Sequence, residues 1–134
     1  MGVSELSWLT ILVAAIMVFV LGGIWYGPIM GQRWMAAVGL TEEDVRNGST
    51  VTIYGCAFAL SVIASAMLAR VLNAFAGLDE VGRVLDALCI TAGFIVPAIG
   101  TNYLFSQKSR ALFLIDAMYW VLFYLAMGTV YALM

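Results

Sequence analysis

At 134 residues the chain has room for a single domain. Hydrophobic residues make up 64% of it and charged residues only 10%, whereas soluble domains carry about 25% charged residues. That imbalance, with a mean hydropathy of +1.03, excludes the soluble class and predicts an integral membrane protein. The net charge of −2 is scattered over short loops, with no basic run to grip nucleic acid or anionic lipid.

The N-terminus, MGVSELSW, lacks a basic n-region and contains Glu5. The apolar run behind it is longer than a signal-peptide core, so it reads as a mature membrane helix. Leu6 stands where a myristoylation pattern after Gly2 needs serine or threonine. Four apolar runs follow, at about 6–26, 51–72, 84–105 and 111–134. Each is close to the roughly 20 residues that cross a bilayer. The expected fold is all-α: four transmembrane helices in a compact bundle, forming one integral membrane domain over 1–134.

The first run ends in GGIWYGPIMGQRW, residues 22–34. Gly23, Gly27 and Gly31 recur every four residues, a spacing that lets another helix approach closely in lipid. Pro28 predicts a helix end followed by an interfacial segment bearing Arg33 and Trp34. An aromatic belt at a helix terminus accounts for the same residues. In the connection, Gln32–Val38 can form a short helix stopped by Gly39, and Thr41 with Glu42, Glu43 and Asp44 reads as a helix start. In the second run Ala57, Ser61, Ser65 and Ala69 form a small-residue stripe suited to tight packing. Pro97, between Gly93 and Gly100, predicts a kink in the third.

There is no histidine, which removes the commonest metal ligand and the usual neutral-pH acid–base group. Cys56 and Cys89 lie inside apolar runs and read as small buried fillers. No catalytic set, metal site or cofactor is expected. Asp116 is the most informative residue, about 9 Å into the fourth helix counting from Arg110. Acids at that depth face protein or a water-filled cavity. Folding the last two runs into a hairpin about Lys108 brings Asn102 to the depth of Asp116, with Thr101 beside it and Tyr119 and Trp120 one turn beyond. Trp25, Tyr26, Arg33 and Trp34 reach the same membrane side, so these nine residues define a polar and aromatic cluster, binding a ligand or locking the helices together.

Three stretches carry a family resemblance: GGIWYGPIMGQRWMAAVGLT at 22–41, FIVPAIGTNYLF at 94–105 and FLIDAMYWVLFYLAMG at 113–128. With them the chain resembles domain of unknown function 1761, a family of small bacterial membrane proteins. The resemblance implies four membrane helices, a bacterial inner membrane and no particular activity. It also implies that relatives often carry asparagine in place of Asp116, which weighs against a proton relay.

The leading functional expectation is a non-enzymatic membrane bundle, a homo-oligomer that scaffolds or passes a small solute. The alternatives are a membrane-embedded enzyme or binding protein for an apolar, lipid-like ligand, and an accessory subunit of a larger membrane complex. Four bases (Arg33, Arg46, Lys108, Arg110) against two (Arg70, Arg83) put the first and third connections in the cytoplasm and the termini outside.

Overall fold

The computed structural model describes residues 7–75 and 77–134. Gly2, Glu5 and Leu6, on which the reading of the N-terminus rests, lie outside the described residues, as does Ala76 in the second connection. Four helices are long and apolar enough to cross a membrane: Trp8–Ile29, Thr50–Ala74, Glu80–Phe105 and Arg110–Leu133. At 1.5 Å per residue each outreaches a hydrocarbon core of about 30 Å. They pack as a compact bundle, with many large apolar side chains, Val51, Leu60, Phe94 and Leu104 among them, facing outward where lipid would lie.

The first span is α1 (Trp8–Ile24) continued by a π-turn (Trp25–Ile29). Pro28 therefore does not end the helix. Its missing N–H is absorbed by widening one turn, in which the Met30 N–H donates to the Trp25 carbonyl at 2.7 Å. After it, α2 (Gly31–Val38) stops at Gly39, whose φ of +83° suits glycine. The next helix, α3 (Glu42–Asn47), starts with a capping box in which Thr41 and Asp44 each accept the other's backbone N–H. The Thr41 backbone bond, and then its hydroxyl, hold the Asp44 carboxyl below the ordinary aspartate range.

The second span is α4 (Thr50–Ala74), capped by Ser49. The third begins at Glu80, four residues earlier than hydropathy alone suggests, because the Asp79 side chain caps it by accepting from the Gly82 N–H. It comprises α5 (Glu80–Ile90), a second π-turn (Thr91–Ile95) and α6 (Val96–Phe105). The expected distortion near Pro97 is thus a π-turn just before it. The fourth span, α7 (Arg110–Leu133), packs against the other three.

The bundle is tight at the end holding the start of α1 and the end of α7. Ile11, Ala14 and Val18 of α1, Leu68 and Leu72 of α4, Ala87 of α5 and Phe123, Met127 and Val130 of α7 form the core there. Ser65 and Ala69 of the small-residue stripe are buried in it, while Ala57 at its other end is exposed. The Ser65 hydroxyl donates to the Ile11 carbonyl at 2.9 Å, and the Tyr131 hydroxyl donates to the Ser65 carbonyl at 2.9 Å. Arg83 donates to the Tyr131 carbonyl at 3.0 Å. Both cysteines correct the sequence reading: Cys56 and Cys89 are exposed on the outer face, where a thiol serves as a small lipid-facing group.

Gly128 sets the distance between α5 and α7. A Cβ there would stand 2.8 Å from Ala87 Cβ and 3.5 Å from the Val84 backbone. Gly128→Ala is expected to destabilise the bundle by about 1–3 kcal/mol, measured by unfolding in mixed detergent–SDS micelles. Adding Ala87→Gly should recover most of the loss, and no recovery would show that the contact does not set the spacing.

Candidate functional site

At the end opposite the tight core, Asp116 is buried in α7 and receives two tyrosine hydroxyls from two other spans. Tyr26, in the π-turn of the first span, donates to one carboxylate oxygen at 2.5 Å, and Tyr103 of α6 donates to the other. The Trp25 indole donates to the Ile115 carbonyl at 3.2 Å, a second tie between the same turn and α7. Among the described residues no buried side-chain oxygen or nitrogen lacks a hydrogen-bond partner. The acid is therefore a three-span clamp, its lone pairs filled by protein.

From Asp116 a run of edge-on and tilted aromatic contacts leads inward. Tyr26 lies between Trp34 (ring centroids 5.7 Å apart) and Tyr119 (4.9 Å). Tyr119 meets Trp120 at 5.2 Å, and Trp120 meets Phe123 at 4.9 Å. Of the nine residues singled out in the sequence, Trp25, Tyr26, Trp34, Asp116, Tyr119 and Trp120 are brought together. Arg33 is not; it is exposed beside a shallow groove with Ser109, Ala111 and Leu114.

Thr101 and Asn102 require correction. Both are exposed, and the Thr101 hydroxyl donates back to the Pro97 carbonyl of its own helix. Equal depth placed Asn102 beside Asp116, but depth says nothing of facing. Successive helical residues point about 100° apart, and the π-turn at Thr91–Ile95 adds one residue to its turn, delaying the phase of everything after it. Tyr103 comes to face α7 instead. The signal available in the sequence was the phenol itself, which needs a partner when it lies inside an apolar helix.

Beside the clamp lies a cavity of about 680 Å3, bounded by the end of α1, the first half of α4, the third span and α7. Tyr26, Tyr119 and Trp120 form part of its wall. Ala57 and Leu60 of α4 and Ala98 of α6 line it and are exposed, so it opens sideways between those helices. No lining residue carries a formal charge. The glycine series of the first span contributes here rather than to helix packing: Gly23 and Gly27 line the cavity, and a Cβ at either would meet nothing within 4 Å. The π-turn breaks the common face expected of the series, and a Cβ at Gly31 would collide with the Tyr26 carbonyl at 2.7 Å. Gly22 lies under the tip of Tyr119, whose hydroxyl would be 3.0 Å from a Cβ there. Among the described residues no three His, Cys, Asp or Glu side chains converge as a metal site.

Residues 9–132 match the model of a family described as protein of unknown function (DUF1761). The chain belongs to that family. No curated protein and no solved structure matches it. The match spans α1 to the last turn of α7, so in this DUF1761 chain the clamp and the whole cavity wall fall within the family's extent.

Tyr26→Phe and Tyr103→Phe should each cost about 0.5–1.5 kcal/mol in micellar unfolding, as interhelical hydrogen bonds in membranes do. Asp116→Asn should cost less than Asp116→Leu, because an amide can accept from one phenol and donate to the other, whereas leucine strands both. Equal unfolding midpoints for the two Asp116 variants would show that the hydrogen bonds do not hold the spans together.

Proposed function

We propose that this protein binds a lipid-like molecule taken sideways from the bilayer, and that the Asp116 clamp holds the walls of its site in place. The observation that carries this reading is the uncharged cavity of about 680 Å3 inside the spanning segments, open between α4 and α6. Its volume falls within the roughly 300–1,000 Å3 of small-molecule sites. Its opening faces lipid rather than water, so the molecules that meet it first are those of the membrane. Passage of a solute through one chain draws less support, because Ile11, Val18, Leu68, Phe123 and Met127 fill the bundle beyond the cavity. A second copy of the chain or another membrane protein covering the opening is the rival occupant.

Native mass spectrometry from mild detergent is expected to show a lipid adduct at one per chain. Gly23→Leu puts a side chain into the open space without a backbone clash, and should lower adduct occupancy several-fold while the unfolding midpoint stays within the range of a surface change, about 0.5 kcal/mol. Full occupancy in this variant, or a dimer that carries no lipid, would overturn the reading.

The cavity lies toward the end that bears Arg33, Arg46, Lys108 and Arg110. By the positive-inside tendency we assign that end to the cytoplasmic face of a bacterial inner membrane, with the ligand drawn from the inner leaflet. Alkaline phosphatase fused after Met134 should then be active in cells and a fluorescent-protein fusion dark; the opposite pattern reverses the orientation.

A further inference from the structure

We infer that the ligand is an uncharged, chain-bearing molecule whose head carries carbonyl oxygens; this assignment rests on the cavity being a binding site. The chain has six tyrosines. Three have their hydroxyls committed within the protein, Tyr26 and Tyr103 to Asp116 and Tyr131 to Ser65. The other three, Tyr54, Tyr119 and Tyr124, donate to no group among the described residues, and all three line the cavity. Among the tryptophans the Trp25 indole donates to the Ile115 carbonyl; Trp8, Trp34 and Trp120 donate to no group among the described residues, and of these three Trp120 stands in the cavity wall.

These donors are not sealed inside protein. No buried side-chain nitrogen or oxygen among the described residues is left without a partner, so the Tyr119 and Tyr124 hydroxyls and the Trp120 indole N–H reach open space. In a site that opens to hydrocarbon, water is not at hand to satisfy them, and an unmet donor is costly. The complement to an indole N–H, which only donates, and to phenols is a set of acceptor oxygens. A phosphate or an ammonium group would meet no opposite charge, since no lining residue is ionic, and would lose its hydration without compensation. Carbonyl oxygens on a neutral head fit both conditions. The ester carbonyls of a diacylglycerol and the ring carbonyls of a prenylated quinone share that chemistry.

The experiment takes the full chain in neutral detergent and titrates four probes by native mass spectrometry: a short-chain diacylglycerol, a decyl-chain benzoquinone, hexadecane and a short-chain phosphatidic acid. It is repeated on Tyr119→Phe and on Tyr54→Phe; the Tyr54 side chain is 54% exposed, and its edge-on contact with Phe19 survives loss of the hydroxyl. At least one carbonyl probe should bind about tenfold tighter than hexadecane, and at least one Phe variant should erase most of that margin without changing hexadecane binding. Which carbonyl probe binds tells the two sources apart. Hexadecane binding as tightly as both carbonyl probes, or Phe variants that behave as wild type, overturns the head-group assignment and leaves the cavity reading standing. Tightest binding by phosphatidic acid overturns it as well. Failure of all four probes removes both.

Discussion

A carboxyl group two turns inside a membrane helix has to find its hydrogen bonds in the protein, and that requirement organises one end of this molecule. Asp116 takes a phenol from the first span and another from the third, so three of the four long helices meet at one side chain. The opposite end is held differently, by small residues and backbone carbonyls: Ser65 on Ile11, Tyr131 on Ser65, Arg83 on Tyr131 and Gly128 against Ala87. Of the two fastenings α4 takes part in the second alone, through Ser65. Its second half packs one face into the core, while its first half is largely exposed and lines the cavity.

The chemistry of the clamp differs from that of the cavity beside it. Around Asp116 every polar group is matched by another within the protein, which suits a structural lock. In the cavity wall the aromatic residues present hydroxyls and an indole N–H with no protein partner among the described residues. The lock and the site thus share Tyr26, whose ring meets that of Tyr119 in the cavity wall at 4.9 Å. Strain on one is felt by the other, because the ring that closes the cavity wall also carries the hydroxyl that holds the acid.

Much of this was legible in the sequence and some of it was not. Four runs of apolar residues announce four spans by length alone, and Thr41, Gly39 and Asp116 could be placed because caps and buried acids obey local rules. The polar cluster was found in outline from depth, which follows from counting residues. Facing does not follow from counting, because it depends on every turn between the reference point and the residue. Two turns widen into π geometry here, one at Pro28 and one at Thr91–Ile95 where no proline stands. Asn102 was expected at the acid from depth alone, and with that second turn before it Tyr103 is found there instead. The glycines of the first span likewise promised close helix contact, yet Gly23 and Gly27 border the cavity, where a Cβ would meet nothing within 4 Å.

The widened turn at Thr91–Ile95 also makes the site sensitive to register. It acts as a one-residue insertion that natural variation could remove. Deleting one residue there would restore a regular helix and leave the tyrosine facing α7. Tightening the turn to α geometry at constant length would instead carry Asn102 round and give the acid an amide for a neighbour. A relative with a one-residue gap in residues 91–95 and TNYLF unchanged is therefore expected to keep the same clamp on a regular helix.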